Sequence, residues 1–224
     1  MSEKFINVFG KKKKYENKLT QHHKDIAAAL QLRLEEIVLY QLKFLKKKYN
    51  LKKLCLAGGV ALNCSMNGQI VKSKIFDEVF VQPASGDAGL AIGAAINCSL
   101  EFQPKKKLSF ETNCYLGSRY SNFEIKKTIN RFRKKIKIVK SKKNIYDFAA
   151  SVLIKKKIIG WFQGAAEFGP RALGNRSILA SPNPVQIKDH INKNVKFREN
   201  FRPFAPAVLQ EFADEYFNID QKSE

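Results

Sequence analysis

Short apolar runs alternate with stretches of helical period in both halves of this chain, and that alternation limits the fold class more tightly than any other feature. Ile26, Leu30, Leu34, Ile37, Val38, Gln41, Leu42 and Leu45 step by three and four, which predicts a helix over 23–49 covered on much of its surface. Residues 54–56 read as a short buried strand running into Ala57-Gly58-Gly59, with a helix beginning near Val60. Residues 75–81 (IFDEVFV) read as the next strand, followed by a helix of small residues over 88–98 that Ser85 or Asp87 can cap. Residues 104–112 carry a proline and a lysine run without period and are assigned as a linker. The order then resumes with a helix at 121–134, a strand at 136–139, a helix at 145–155 opened by Asn144 and a strand at 158–162. The expectation is two α/β units, preceded by a basic segment, 1–22, whose first 19 residues show no clear period and read as poorly ordered.

The cationic residues are unevenly chosen. Of 41 basic residues only eight are arginine, and Arg171, Arg176, Arg198 and Arg202 fall within 32 residues. A lysine-rich chain that keeps arginine in one place uses the planar guanidinium there, whose paired donors fit phosphate or carboxylate. Residues 160–206 therefore read as an anion site. The net charge of +21 raises nucleic acid as a partner. The lysines, however, lie in short clusters along the whole length, with neither an RNP-like aromatic signature nor a helix-turn-helix pattern. Specific nucleic-acid binding is not the expectation. No apolar run approaches the roughly 20 residues that span a bilayer, and the N-terminus lacks an apolar signal core, so a cytoplasmic location without membrane contact is expected.

Four cysteines without a CxxC pair, and three histidines in all, argue against a zinc finger; the cysteines read as buried reduced thiols. His22 and His23 read as polar residues at a helix start. Gly58-Gly59 after a strand lets backbone N–H groups approach an anion at a helix start, or serves only a tight turn. Asp87 reads as a cap, or as a metal ligand if partners join it.

LCLAGGVALNCSMNG (54–68), VFVQPASGDAGLAIGAA (79–95), and IGWFQGAAEFGPRALGNRSILASP with KFRENFRPFAP (within 159–206) together resemble the O-carbamoyltransferases of antibiotic biosynthesis and nodulation. HKDIAAALQ (23–31) is similar to the helix before that family's glycine loop, and the resemblance runs from His23 to about Val208. It implies an α/β chain: a partial actin/Hsp70-like (ASKHA) domain over 23–103, then a partial YrdC-like domain over 113–224. It implies that carbamoyl phosphate and ATP form carbamoyl adenylate in the YrdC-like part. The carbamoyl group then passes to a small-molecule hydroxyl in the first domain, which holds a divalent metal, iron in the complete family enzyme.

On this resemblance Arg171, Arg198 and Arg202 are the first candidates for the phosphates of carbamoyl phosphate and ATP. Arg176 and Glu167 come second, because a Glu–Arg pair can simply fix the loop, and for each arginine a structural salt bridge is the alternative. Gly58, Gly59, Asn63 and Gly86 match nucleotide loops, and Asp87 matches a metal-ligating aspartate. Family chains are longer at both ends, and the parts without counterpart here carry paired metal-binding histidines. The expectation is a split-gene subunit that needs a companion chain, or a truncated remnant, inactive alone and exposing apolar surface between Leu54 and Ala95. A non-catalytic anion-binding module is the alternative, and a basic RNA-associated protein a more distant one.

Overall fold

The computed structural model of the chain describes residues 2–12, 18–104, 113–140 and 144–218. The described residues up to Gly86 gather into one unit and those from Asp87 to Asn218 into a second. The division thus falls ahead of the 104–112 linker, of which only Pro104 is among the described residues.

The first unit opens with α1 (Glu3–Phe9), a helix within the segment that shows no period in sequence. Ser2 starts it by accepting the Phe5 N–H, and Phe5 and Phe9 stack one turn apart, but α1 buries no residue. The long helix α2 (Gln21–Tyr49) follows, close to the span read from its stripe. His23 closes its first turn by bonding through Nδ1 with the Thr20 hydroxyl (2.6 Å) and the Thr20 N–H (3.2 Å). Lys46, Lys47 and Lys48 sit in its last turn, where the dipole favours cations, and left-handed Asn50 ends it. The two adjacent histidines are end residues, as their position suggested.

β1 (Lys53–Leu56) pairs in parallel with β2 (Glu78–Val81), with Lys53 opposite Glu78 and Leu56 opposite Val81. Parallel pairing needs a crossover, and α3 (Cys64–Lys72) supplies it. Leu42 of α2, Met66 and Ile70 of α3, Phe76 and Val79 form the core, flanked by Leu34, Val38, Leu54, Leu56 and Val81. Both helices cover one face of this two-stranded sheet. On the other face Cys55 and its register partner Phe80 are exposed, so the strand read as buried is half-buried.

The broad stripe of α2 is likewise covered only in part. Leu42 alone is buried, while Leu30 and Tyr40 are about three-quarters exposed. Exposed apolar surface between Leu54 and Ala95 is present, at Val60, Phe80 and Leu90. The cysteine expectation is corrected in the same way. Cys55, Cys64 and Cys98 are exposed and Cys114 is partly so; for Cys55 the reason is that a sheet packed on one side leaves half its positions facing water.

The second unit begins with a single 3₁₀ turn, Asp87–Gly89, and α4 (Leu90–Phe102). Neither Ser85 nor Asp87 caps α4; the cap position is Gly89, without a side-chain bond. The intervening 3₁₀ turn moves the helix start beyond their reach. α5 (Asn122–Arg131) carries a full capping box, in which Ser121 and Glu124 satisfy each other's N–H groups. Residues 136–139 form no strand: α5 ends in a tight turn, Ile136 and Ile138 stay about half exposed and Val139 two-thirds exposed, with no neighbouring ladder among the described residues.

Asn144 opens α6 (Ile145–Ile154) as its sequence position implied. β3 (Ile159–Phe162) then pairs antiparallel with β4 (Arg176–Leu179), Phe162 facing Arg176. α7 (Ile187–Asn194) and the short α8 (Ala213–Tyr216) complete the unit. Among the described residues no helix is long and apolar enough to cross a membrane.

Candidate anion site

The arginine-bearing loop between β3 and β4 is held by its own polar side chains. One oxygen of Glu167 accepts the backbone N–H groups of Leu173 (2.7 Å), Asn175 (2.8 Å) and Arg176 (3.2 Å). Burial pushes the Glu167 carboxyl up, but these N–H groups and its own outweigh it and hold the group at about 2. A carboxyl depressed in the folded state stabilises the fold above its unfolded value near 4.5 and loses that contribution as pH falls towards 2. Acid unfolding followed by Trp161 fluorescence is therefore expected to contain a Glu167-dependent component between about pH 4.5 and 2. That component should be absent in Glu167→Gln.

Arg176 fastens the same loop from the other side. Its Nη1 donates to the carbonyls of Gln163 (2.6 Å) and Asn175 (3.0 Å), and its Nη2 to those of Ser118 (3.3 Å) and Gly164 (3.2 Å). The guanidinium lies 3.6 Å over the Phe162 ring. Glu167 and Arg176 do not pair with one another; each is satisfied by backbone. The Glu–Arg pair suggested by the sequence is thus replaced by two separate backbone clasps, and the geometry gives both residues a scaffolding role.

The segment 114–119 closes against the loop. Gly117 N–H donates to Ala166 O (2.9 Å), Phe168 N–H to Cys114 O (2.6 Å), and Tyr115 Oη–H to Leu173 O (2.8 Å). A Cβ on Gly117 would lie 2.8 Å from Ala166 O, so only glycine allows this approach. With its base fixed, the loop carries Arg171 exposed near its tip, after Gly169-Pro170. Among the described residues no hydrogen bond or ion pair engages Arg171.

Arg198 and Arg202 lie in a turn after α7, not on a helix, so the helical spacing left open in the sequence does not apply. The turn nevertheless brings them together about Glu199. Arg202 Nε is 2.9 Å from Glu199 Oε2. The Glu199 carboxyl is held below its ordinary range, first by its own N–H and then, against burial, by Arg202 and Arg198. Arg198 donates through Nε to Asn192 Oδ1 (2.7 Å) and through Nη2 to Pro203 O (3.3 Å), and sits 4.7 Å from the centre of the Phe204 ring. Asn192, wholly buried, is the residue that sequence reasoning missed. Its one signal was an asparagine directly beside Ile191 in a helix whose apolar positions are few.

In the first unit, Gly58, Gly59, Asn63 and Gly86 meet around one turn. Gly58, with φ of 101°, donates its N–H to Ser85 O at 2.6 Å, and the position of a Cβ on Gly86 lies 3.9 Å from Leu62 Cδ1. The glycines lead into a 3₁₀ turn, Gly59–Leu62, and α3 starts only at Cys64, so they do not open that helix directly. Asn63 caps α3 through Met66 N–H and exchanges two amide hydrogen bonds with Gln31 (2.8 and 3.2 Å). Asp87, which begins the second unit, is exposed. Among the described residues no group of three or more His, Cys, Asp or Glu could hold a metal, so Asp87 has no ligand set around it there.

Comparison with known proteins agrees with these motifs. The model of the carbamoyltransferase N-terminus matches residues 1–96, and that of the carbamoyltransferase C-terminus matches residues 150–224. Nodulation protein NolO of Bradyrhizobium diazoefficiens is 45% identical over 89% of this chain and 36% of its own length. Nodulation protein NolNO of Sinorhizobium fredii is 45% identical over 89% of this chain and 29% of its own. Nodulation protein U of Rhizobium tropici is 33% identical over 87% of this chain and 32% of its own. This chain belongs to the carbamoyltransferase family. It spans about a third of the length of the curated relatives it matches.

Proposed function

We propose that the second unit binds carbamoyl phosphate through Arg171, Arg198 and Arg202, as part of an O-carbamoyltransferase. The observation that carries this is the state of the guanidinium groups. Arg176 spends both its Nη groups on four carbonyls. Arg202 meets its neighbour through Nε, and Arg171 meets none among the described residues. Groups fixed or exposed in this way keep N–H donors for a phosphate and stabilise charge as it develops on the transferring group.

In the proposed sequence, carbamoyl phosphate loses phosphate to water, and the resulting carbamate attacks the α-phosphorus of ATP, releasing pyrophosphate and leaving carbamoyl adenylate. A substrate hydroxyl then attacks the carbamoyl carbon, AMP leaves, and the hydroxyl proton passes to a base. The second unit would be the partial YrdC-like domain. The first would be the partial actin/Hsp70-like domain, with Gly58, Gly59 and Gly86 lining a nucleotide loop. Asn63, whose side chain is engaged by Gln31 and Met66, shapes that loop rather than reaching a ligand. The described residues near Asp87 do not supply a metal site. A companion chain is the proposed source of further ligands and of the acceptor pocket.

Titration calorimetry of the 224-residue chain with carbamoyl phosphate tests the reading. Arg171→Ala is expected to weaken binding about tenfold, or about 1.4 kcal/mol, with an unchanged melting temperature. Equal affinity of the two proteins would sink it.

A further inference from the structure

We infer that Asn192 is a positioning residue for Arg198, setting the affinity of the second unit for its anion; this rests on the reading of Arg198 as a carbamoyl phosphate ligand. The Asn192 side chain has no exposure to water, and a buried amide must find partners for its polar atoms. All of its partners come from the arginine turn. Oδ1 accepts Arg198 Nε–H at 2.7 Å, and Nδ2 donates to the carbonyls of Arg202 (2.9 Å) and Asn200 (3.3 Å). The main-chain carbonyl of Asn192 accepts the Arg198 N–H at 2.9 Å. Four hydrogen bonds from one residue at the end of α7 therefore fix both the backbone of the turn and one edge of its first guanidinium.

An amide suits this place because it is neutral. The Arg198 guanidinium is held at Nε by Asn192, lies over Phe204 and reaches Pro203 O through Nη2, so its plane is set before any ligand arrives. Its charge is not cancelled by the group that holds it. An aspartate at 192 would keep the acceptor and nearly the same shape, yet lose both donors. It would also place a negative charge against Arg198, in competition with the incoming phosphate. The acid beside the turn, Glu199, is spent on Arg202, which leaves Arg198 the less neutralised of the two.

A double-mutant cycle separates positioning from scaffolding. Carbamoyl phosphate is titrated into the full chain, Asn192→Asp, Arg198→Ala and the double variant, each confirmed folded by circular dichroism and Trp161 emission. Each single change is expected to weaken binding about tenfold. The double variant should fall several-fold short of the product of the two losses, because Asn192 acts through Arg198. If Asn192→Asp does not fold, Asn192→Ser, whose hydroxyl lies one bond too near the backbone to hold Arg198 Nε, takes its place in the cycle. Losses that multiply fully, or wild-type affinity at position 192, overturn the positioning role alone. Wild-type affinity of Arg198→Ala overturns the carbamoyl phosphate reading of this turn, and the role of Asn192 with it.

Discussion

Glu167→Ala is expected to destabilise the second unit by about 3 kcal/mol and to free the loop that presents Arg171. The substitution orphans three backbone N–H groups, those of Leu173, Asn175 and Arg176, which converge on one carboxylate oxygen. Hydrogen bonds to a charged acceptor contribute about 1.5–3 kcal/mol each, and partial access of water to Leu173 lowers the sum. Glu167→Gln keeps an acceptor but loses the charge, and is expected to cost about half as much. Urea unfolding followed through Trp161 emission measures both, since Trp161 is the only tryptophan and lies in β3 at the base of the loop. A loss under about 1 kcal/mol for Glu167→Ala would show that the three N–H groups are served by water instead. Because the same loop holds Arg171, anion affinity should fall as well, although Glu167 touches no anion in the proposed site.

Much of the fold was legible because its elements announce themselves locally. The stripe from Ile26 to Leu45 gave α2, the Asn144 cap gave the start of α6, and the apolar runs gave β1 and β3. What failed depended on neighbours that a sequence does not place. Ile136–Val139 has strand composition but, among the described residues, no ladder beside it, and Cys55 alternates onto a sheet face where it and Phe80 stay exposed. The candidate site divides in the same way. Arginine is concentrated in one window of the sequence, yet the four side chains there make quite different contacts. Arg176 and Arg171 lie five residues apart, and the backbone carbonyls and the Phe162 ring that surround the first distinguish them. Asn192 was invisible because a buried amide acquires meaning only from the turn folded over it, six to ten residues onward.

Arg176→Lys is the second large effect expected, a loss of about 2 kcal/mol despite conserved charge. The guanidinium reaches the carbonyls of Gln163, Asn175, Ser118 and Gly164 at 2.6 to 3.3 Å from two nitrogens held in one plane. A lysine ammonium offers three donors from a single point, so it can serve the carbonyls nearest that point and must leave the others. It also loses the stacked contact with Phe162, whose ring lies 3.6 Å from the guanidinium carbon. Arg176→Met, which keeps the apolar stem, should cost more, about 3 kcal/mol, because it leaves all four carbonyls without this donor. The link to Ser118 joins the loop to the segment paired through Arg119 and Ala165, so its loss should unfasten that segment first. Hydrogen exchange is the discriminating measurement. In Arg176→Lys the amides of Gly117 and Ala166, which bond across this seam, should exchange faster while those within α6 keep their protection. Uniform acceleration across the unit would instead mean that Arg176 supports the fold as a whole and not the loop in particular. Glu167→Ala combined with Arg176→Lys should lose less than the two changes separately, since both clasps grip the same strand of chain at Asn175.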